Sequence, residues 1–161
     1  MANISKINGN AIAATTVVGS YFAQGKLSAN QLIATGSDVV IQFADDIDPQ
    51  SWWNTSTYRF TPTVAGYYNV SFGVWFENMA VTSSAQVNAQ ARKNGNSFMI
   101  IQQPCNVGTG ISLTGTKIAF LNGSTDYLDF TAFNGASVSK NIQQGTAAGS
   151  GTWFAASLLT Q

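Results

Sequence analysis

Gly66-Tyr67-Tyr68-Asn69-Val70-Ser71-Phe72-Gly73-Val74-Trp75-Phe76-Glu77 is the stretch that decides the fold. Tyr68, Val70, Phe72, Val74 and Phe76 alternate with Tyr67, Asn69, Ser71, Gly73 and Trp75. Successive side chains of an extended strand point to opposite faces, so a period of two predicts a strand with one buried face. The same grammar continues downstream. Ala85, Val87, Ala89 and Ala91 alternate with Gln86, Asn88, Gln90 and Arg92, and Asn94-Gly95 comes directly after. That dipeptide accepts the left-handed backbone of a tight hairpin turn, which predicts a return strand over Ser97–Gln102.

Leu113–Leu121 and Tyr127–Phe133 read as two further strands joined by the turn-rich Asn122-Gly123-Ser124-Thr125. The last strand is Thr152–Leu159, with Phe154, Ala156 and Leu158 on one face. Upstream, Gln31–Ile33 and Val39–Phe43 predict two short strands, followed by an irregular segment from Ala44 to Thr57. No apolar series recurs at helical spacing. Turn signals every dozen or so residues argue an all-β sandwich of about eight to ten strands.

Composition narrows the function. Charged residues are 9% of the 161, seven basic and seven acidic, against roughly a quarter in an average soluble domain. Asn, Gln, Ser and Thr take their place at 14, 11, 16 and 16 copies. With net charge zero there is no basic cluster to hold a phosphate backbone or an anionic bilayer, so neither nucleic acid nor membrane is an expected partner. The chain opens without a basic start or an apolar run, so no signal peptide is expected, and no 18-residue apolar stretch could cross a membrane as a helix. Ten Phe, five Tyr and four Trp supply material for a core.

Catalysis finds little to use. There is no histidine, which removes imidazole as base, nucleophile or metal ligand, and Glu77 is the only glutamate. Cys105, alone, can form no disulfide within the chain and reads as a small buried hydrophobe. Gly110–Lys117 brushes against a phosphate-binding loop, but its order ends Gly-Thr-Lys and the residues after it are strand-like, where that chemistry needs a helix N-terminus. Asp45, Asp46 and Asp48 could offer oxygens to calcium, although their spacing is that of no regular cage and a solvated acidic loop is the plainer reading. Asp126 and Asp129 are placed to pair with Lys117 across a hairpin. No catalytic residue, cofactor or metal ligand is assigned, and the chain is not expected to be an enzyme.

Trp52-Trp53 are adjacent in sequence. Neighbours on a strand cannot both face the core, so one is expected to meet a partner, a sugar ring or a loop. Residues 1–19 are rich in Ala, Asn, Thr and Gly with only scattered Ile and Val, too little apolar area to order alone. They read as an N-terminal arm on a single domain, residues 20–161.

Phe60-Thr-Pro-Thr-Val-Ala-Gly66-Tyr67-Tyr68-Asn-Val-Ser-Phe72 resembles the central signature of complement-q-type globular heads in the tumour-necrosis-factor-like superfamily. Arg92-Lys93-Asn94-Gly95, Leu113–Leu121 and Thr152–Leu159 come in that family's order, so the resemblance covers about residues 20–160. It implies a ten-stranded, two-sheet jelly roll that forms a homotrimer, with its termini close together and no enzymatic activity. Phe60, Gly66, Tyr68, Phe72, Asn94, Gly95, Phe154 and Leu158 match positions that hold the fold.

There is no collagen-like stalk and no cysteine framework, which separates the chain from secreted adaptors. Lys6–Ala13, leading into Leu27–Gln31 and then the jelly roll, is similar instead to small virion proteins of tailed bacteriophages. That resemblance implies a capsid decoration or cement protein, made in the host cytoplasm and located in the virion. Its partners would be itself and the major capsid protein or another virion protein. Ile4, Ile7, Ile12, Trp52 and Trp53 are the expected contact residues. The alternative is a head- or tail-fibre knob that binds host surface glycans through exposed aromatics and amides.

Overall fold

The computed structural model describes residues 21–77, 79, 85–105, 110–145 and 151–161. The expected arm, with Ile4, Ile7 and Ile12, lies outside the described residues. Thirteen strands and no helix occur among those described: β1 Phe22–Lys26, β2 Gln31–Ile33, β3 Ser37–Val40, β4 Ala44–Ile47, β5 Trp53–Asn54, β6 Arg59–Phe60, β7 Gly66–Phe76, β8 Gln86–Lys93, β9 Asn96–Pro104, β10 Ile111–Leu121, β11 Leu128–Asn134, β12 Lys140–Ile142 and β13 Trp153–Thr160. Several are two- or three-residue pieces, so the expected ten strands are divided into more segments.

β7 organises the larger sheet of seven strands. It pairs antiparallel with β10 along its whole length, and on its other side with β13 and then, at Phe76, with β12. The sheet extends from β13 to β1 and β4, and from β12 to β2. The smaller sheet runs β5-β6-β11-β8-β9. β3 leads the chain alongside β11, where Ile41 N–H donates to the Phe130 carbonyl at 2.8 Å.

The period-two reading is met on β7, β8 and β13. Tyr68, Val70, Phe72, Val74 and Phe76 on β7, Val87, Ala89 and Ala91 on β8, and Phe154, Ala156 and Leu158 on β13 all enter one core. Phe43, Phe72, Trp53, Phe130 and Phe154 pack ring against ring at its centre, and Phe130 stacks on Phe154 at 5.0 Å. Asn94 and Gly95 take φ of 53° and 78°, the left-handed pair a two-residue hairpin turn demands.

Other readings are corrected. Strand β3 ends at Val40, although Ile41 and Phe43 are both fully buried beyond it. The segment expected to be irregular contains β4, an edge strand against β1 whose acidic residues hid it from an apolar pattern search. Charged side chains are a recognised way of blunting an exposed edge. Asn122–Thr125 does not close a hairpin, because β10 belongs to the larger sheet and β11 to the smaller.

Both ends of the domain meet at one pole of the sandwich. Leu158 N–H donates to the Tyr21 carbonyl at 2.9 Å, Gly66 is paired with Leu121, and the Asn94-Gly95 turn binds Tyr127. The opposite pole carries the connection after β1, where Leu27 N–H donates to the Thr152 carbonyl at 3.1 Å.

Candidate assembly interface

Each core-facing strand must show its other face to something. On the larger sheet that face is set by register: Phe120 opposite Tyr67, Ile118 opposite Asn69, Thr116 opposite Ser71 and Thr114 opposite Gly73. β13 continues the rows, with Ser157 against Asn69, Ala155 against Ser71 and Trp153 against Gly73, and Phe22 of β1 lies opposite Ser157. Trp153 lies so close over Gly73 that a Cβ there would meet its indole at 2.6 Å.

The rows nearest Tyr21 are apolar and open. Tyr67 is 50% exposed, Ile118 57%, Phe120 48% and Leu159 47%, and the Tyr67 and Phe120 rings meet edge to face at 5.3 Å. The middle rows are amides, hydroxyls and alanine. Charge enters at the other end, where Lys26 is paired with Asp46, whose carboxylate also accepts from Gln24 at 3.0 Å. Lys26 beside it holds the Asp46 carboxyl below the ordinary carboxylate range.

Polar groups around this pole are tied down. Asp126 accepts from Asn94 at 2.7 Å and from the Asn122 N–H at 3.0 Å, and pairs with Lys93 at 2.8 Å. Lys93, then Asn94 and the Asn122 backbone, lower its pKa against the opposing effect of burial. Arg92 clasps buried Asp129 with two bonds, of 2.6 and 2.9 Å, and that partner raises its pKa. Neither aspartate meets Lys117, contrary to the sequence expectation; Lys117 donates to the Phe98 carbonyl at 2.7 Å instead.

Trp52 and Trp53 are both buried, which overturns the argument that one must be exposed. Trp52 precedes β5 and is not bound to its alternation. It stacks on Tyr21 and donates to Thr63 at 3.1 Å, while Trp53 enters the Phe43–Phe154 cluster and donates to the Phe43 carbonyl at 3.1 Å. Neither ring is left open for a sugar or a partner. Asp45, Asp46 and Asp48 do not converge: Asp46 faces Lys26, Asp48 accepts the Trp53 N–H at 2.6 Å, and among the described residues no three His, Cys, Asp or Glu side chains form a metal-binding group. Cys105 is buried, and burial pushes its thiol pKa up, toward the inert form.

No known protein family profile matches this chain, and no curated protein matches it in sequence. Solved structures match it in fold. The globular domain of zebrafish complement 1qA superposes with a TM-score of 0.63 over 88% of this chain and 99% of that one, at 13% identity. The fold is a tumour-necrosis-factor-like jelly roll. Eiger TNF from S. frugiperda gives 0.60 over 87% and 92% at 9% identity, and murine APRIL at pH 5.0 gives 0.61 over 86% and 98% at 10%. The scaffold residues suggested by the resemblance occupy matching roles here: Phe60, Tyr68, Phe72, Phe154 and Leu158 are core, and Asn94-Gly95 is the turn.

Sequence reasoning passed over Ile118, Phe120 and Leu159, and counted Tyr67 only as an outward position. The available signal was their size. Large apolar residues fall in the alternation where a solvated face would carry polar ones.

Proposed function

We propose that this chain is a non-enzymatic structural protein of tailed-bacteriophage virions, a homotrimer that decorates or cements the capsid. Copies pack through the outer face of the larger sheet, and the N-terminal arm, residues 1–19 with Ile4, Ile7 and Ile12, fixes the trimer to the major capsid protein. One observation carries the self-association: the open cluster of Tyr67, Ile118, Phe120 and Leu159 on a face with almost no charge. Apolar residues grouped in the open mark a contact surface, and interface cores are poor in charged groups because desolvating them is costly. Amides and hydroxyls in the adjoining rows can pair across such a contact without that cost. The arm reading gains support from polarity, since Tyr21 enters at the pole bearing the apolar rows.

Light scattering tests the assembly. A mass three times that of the 17.0 kDa chain is expected, and a 17.0 kDa monomer ends the proposal. Deleting residues 2–19 is expected to abolish occupancy on decoration-free capsids while leaving the truncated chain trimeric. Undiminished occupancy would remove the arm from the mechanism.

A further inference from the structure

At the pole opposite Tyr21, the connection from β1 to β2 borders a cleft of 270 Å³ lined by Leu27, Ser28, Ala29, Asn30, Gln31, Leu32 and Gln42. Its walls are fixed by amide pairing. Gln31 donates to the Val40 carbonyl and accepts from the Gln42 N–H, both at 2.8 Å, and Asn30 accepts from the Gln144 N–H at 3.0 Å. These bonds leave the Asn30 amino group, the Ser28 hydroxyl and the Gln42 side-chain amide without a hydrogen bond among the described residues. Leu32, 60% exposed, adds an aliphatic wall.

The lining selects its ligand by elimination. With no Lys or Arg in it, a phosphate or carboxylate has no charged donor to bind. No carboxylate is present for a hard cation. An apolar ligand would want a mostly hydrophobic cavity, and the volume falls just below the range of about 300–1,000 Å³ usual for drug-sized molecules. The remaining class is small, neutral and rich in both donors and acceptors, with a C–H face for Leu32. We propose that this cleft binds one residue of a neutral saccharide. Pre-set amides limit the ordering cost of capture. Every residue that lines the cleft belongs to one chain. It also replaces Trp52 and Trp53, whose burial removed them as a sugar platform.

The test is NMR titration of the full chain with the methyl glycosides of glucose, mannose, galactose and N-acetylglucosamine, with glucuronate as a charged control. At least one neutral sugar is expected to shift residues 27–32 and 42 and to show saturation transfer, while glucuronate does neither. Gln42→Ala and Leu32→Asp, both at exposed positions, are each expected to weaken that binding about tenfold with the melting temperature unchanged. Phe120→Glu, placed at the other pole, is expected to bind as the parent does, so a failure of assembly and a failure of this site read differently. No perturbation by any neutral sugar at about 10 mM, ten times a millimolar constant, overturns the proposal. So do shifts confined to another surface, binding indifferent to both cleft variants, or a response only to an extended peptide adding to the β2 edge.

Discussion

The two outward faces of this sandwich answer the same geometric demand in opposite ways. On the larger sheet the outward rows near Tyr21 hold Tyr67, Ile118, Phe120 and Leu159, open and without charge. On the smaller sheet, β8 turns Gln86, Asn88, Gln90 and Arg92 outward. There Gln102 donates to Gln86 at 2.6 Å, Gln90 donates to Asn88 at 3.2 Å, and Arg92 grips Asp129. One face ties these polar groups to one another and leaves only Ile100, among its described residues, as a large open hydrophobe. The other gathers apolar surface that none of the described residues covers. The contrast teaches that the core-facing half of each strand sets the fold, whereas the outward half separates a solvated face from an assembling one.

The strongest way to break that contrast is a charge on each face. Phe120→Glu is expected to take the mass from that of a trimer to 17.0 kDa with the β-sheet circular dichroism retained, because a carboxylate in an interface core is costly to desolvate. Gln90→Glu, which puts the same charge on the smaller sheet's outward face, is expected to leave the trimer intact. Light scattering on both variants decides it, and the reverse pattern would exchange the roles of the two faces.

A smaller effect belongs to the polar face. Asp129→Ala strands the Arg92 guanidinium beside a buried wall, and should lower unfolding free energy by about 2 kcal/mol, less than a fully buried pair because Arg92 keeps some water. The midpoint of urea unfolding measures it. An unchanged midpoint would mean that the amide ladder, not the ion pair, holds that face.

The pH response separates pole from core. Asp126 has a folded pKa below its unfolded value of about 3.9, so its stabilisation is complete above that value and is lost as pH falls through the folded one. Asp126→Asn is therefore expected to flatten acid unfolding below about pH 4. Tyr68 behaves oppositely at the alkaline end. Burial pushes its phenol up to about 12, and its hydroxyl donates to the Val64 carbonyl at 2.7 Å. The folded chain keeps a proton the unfolded chain loses near about 10, so stability should decline from there toward pH 12, and Tyr68→Phe should reduce that decline. Thermal melts across both ranges give the slopes.

Legibility in the sequence obeys the same division. β7, β8 and β13 are legible because one side of each is apolar, and alternation needs no knowledge of partners. β4 is not, since Ala44-Asp45-Asp46-Ile47 pairs through its backbone and Asp46 finds Lys26 only once β1 lies beside it. Trp52-Trp53 misleads because alternation holds within a strand, and Trp52 stands one residue outside it. Tyr67 and Phe120, far apart in the chain, become a patch only through the β7–β10 register, so pattern reading treats each as a stray.

The seam between the sheets offers the finest discrimination. Along the open side, Lys117 of β10 donates to the Phe98 carbonyl of β9 at 2.7 Å, and Lys93 of β8 donates to the Phe120 carbonyl of β10 at 2.8 Å. The two lysines reach across in opposite directions, each to a backbone carbonyl. Water can replace Lys117 at its exposed site, so Lys117→Met should cost about 0.5 kcal/mol. Lys93→Met also removes the ion pair to Asp126 and should cost roughly 1 kcal/mol. If the clasps serve the fold alone, both losses appear in urea midpoints and neither changes the mass. A loss of the trimer in Lys93→Met with a normal midpoint would instead extend the assembling face around the edge through Phe120, whose ring lies 6.0 Å from the Lys93 ammonium.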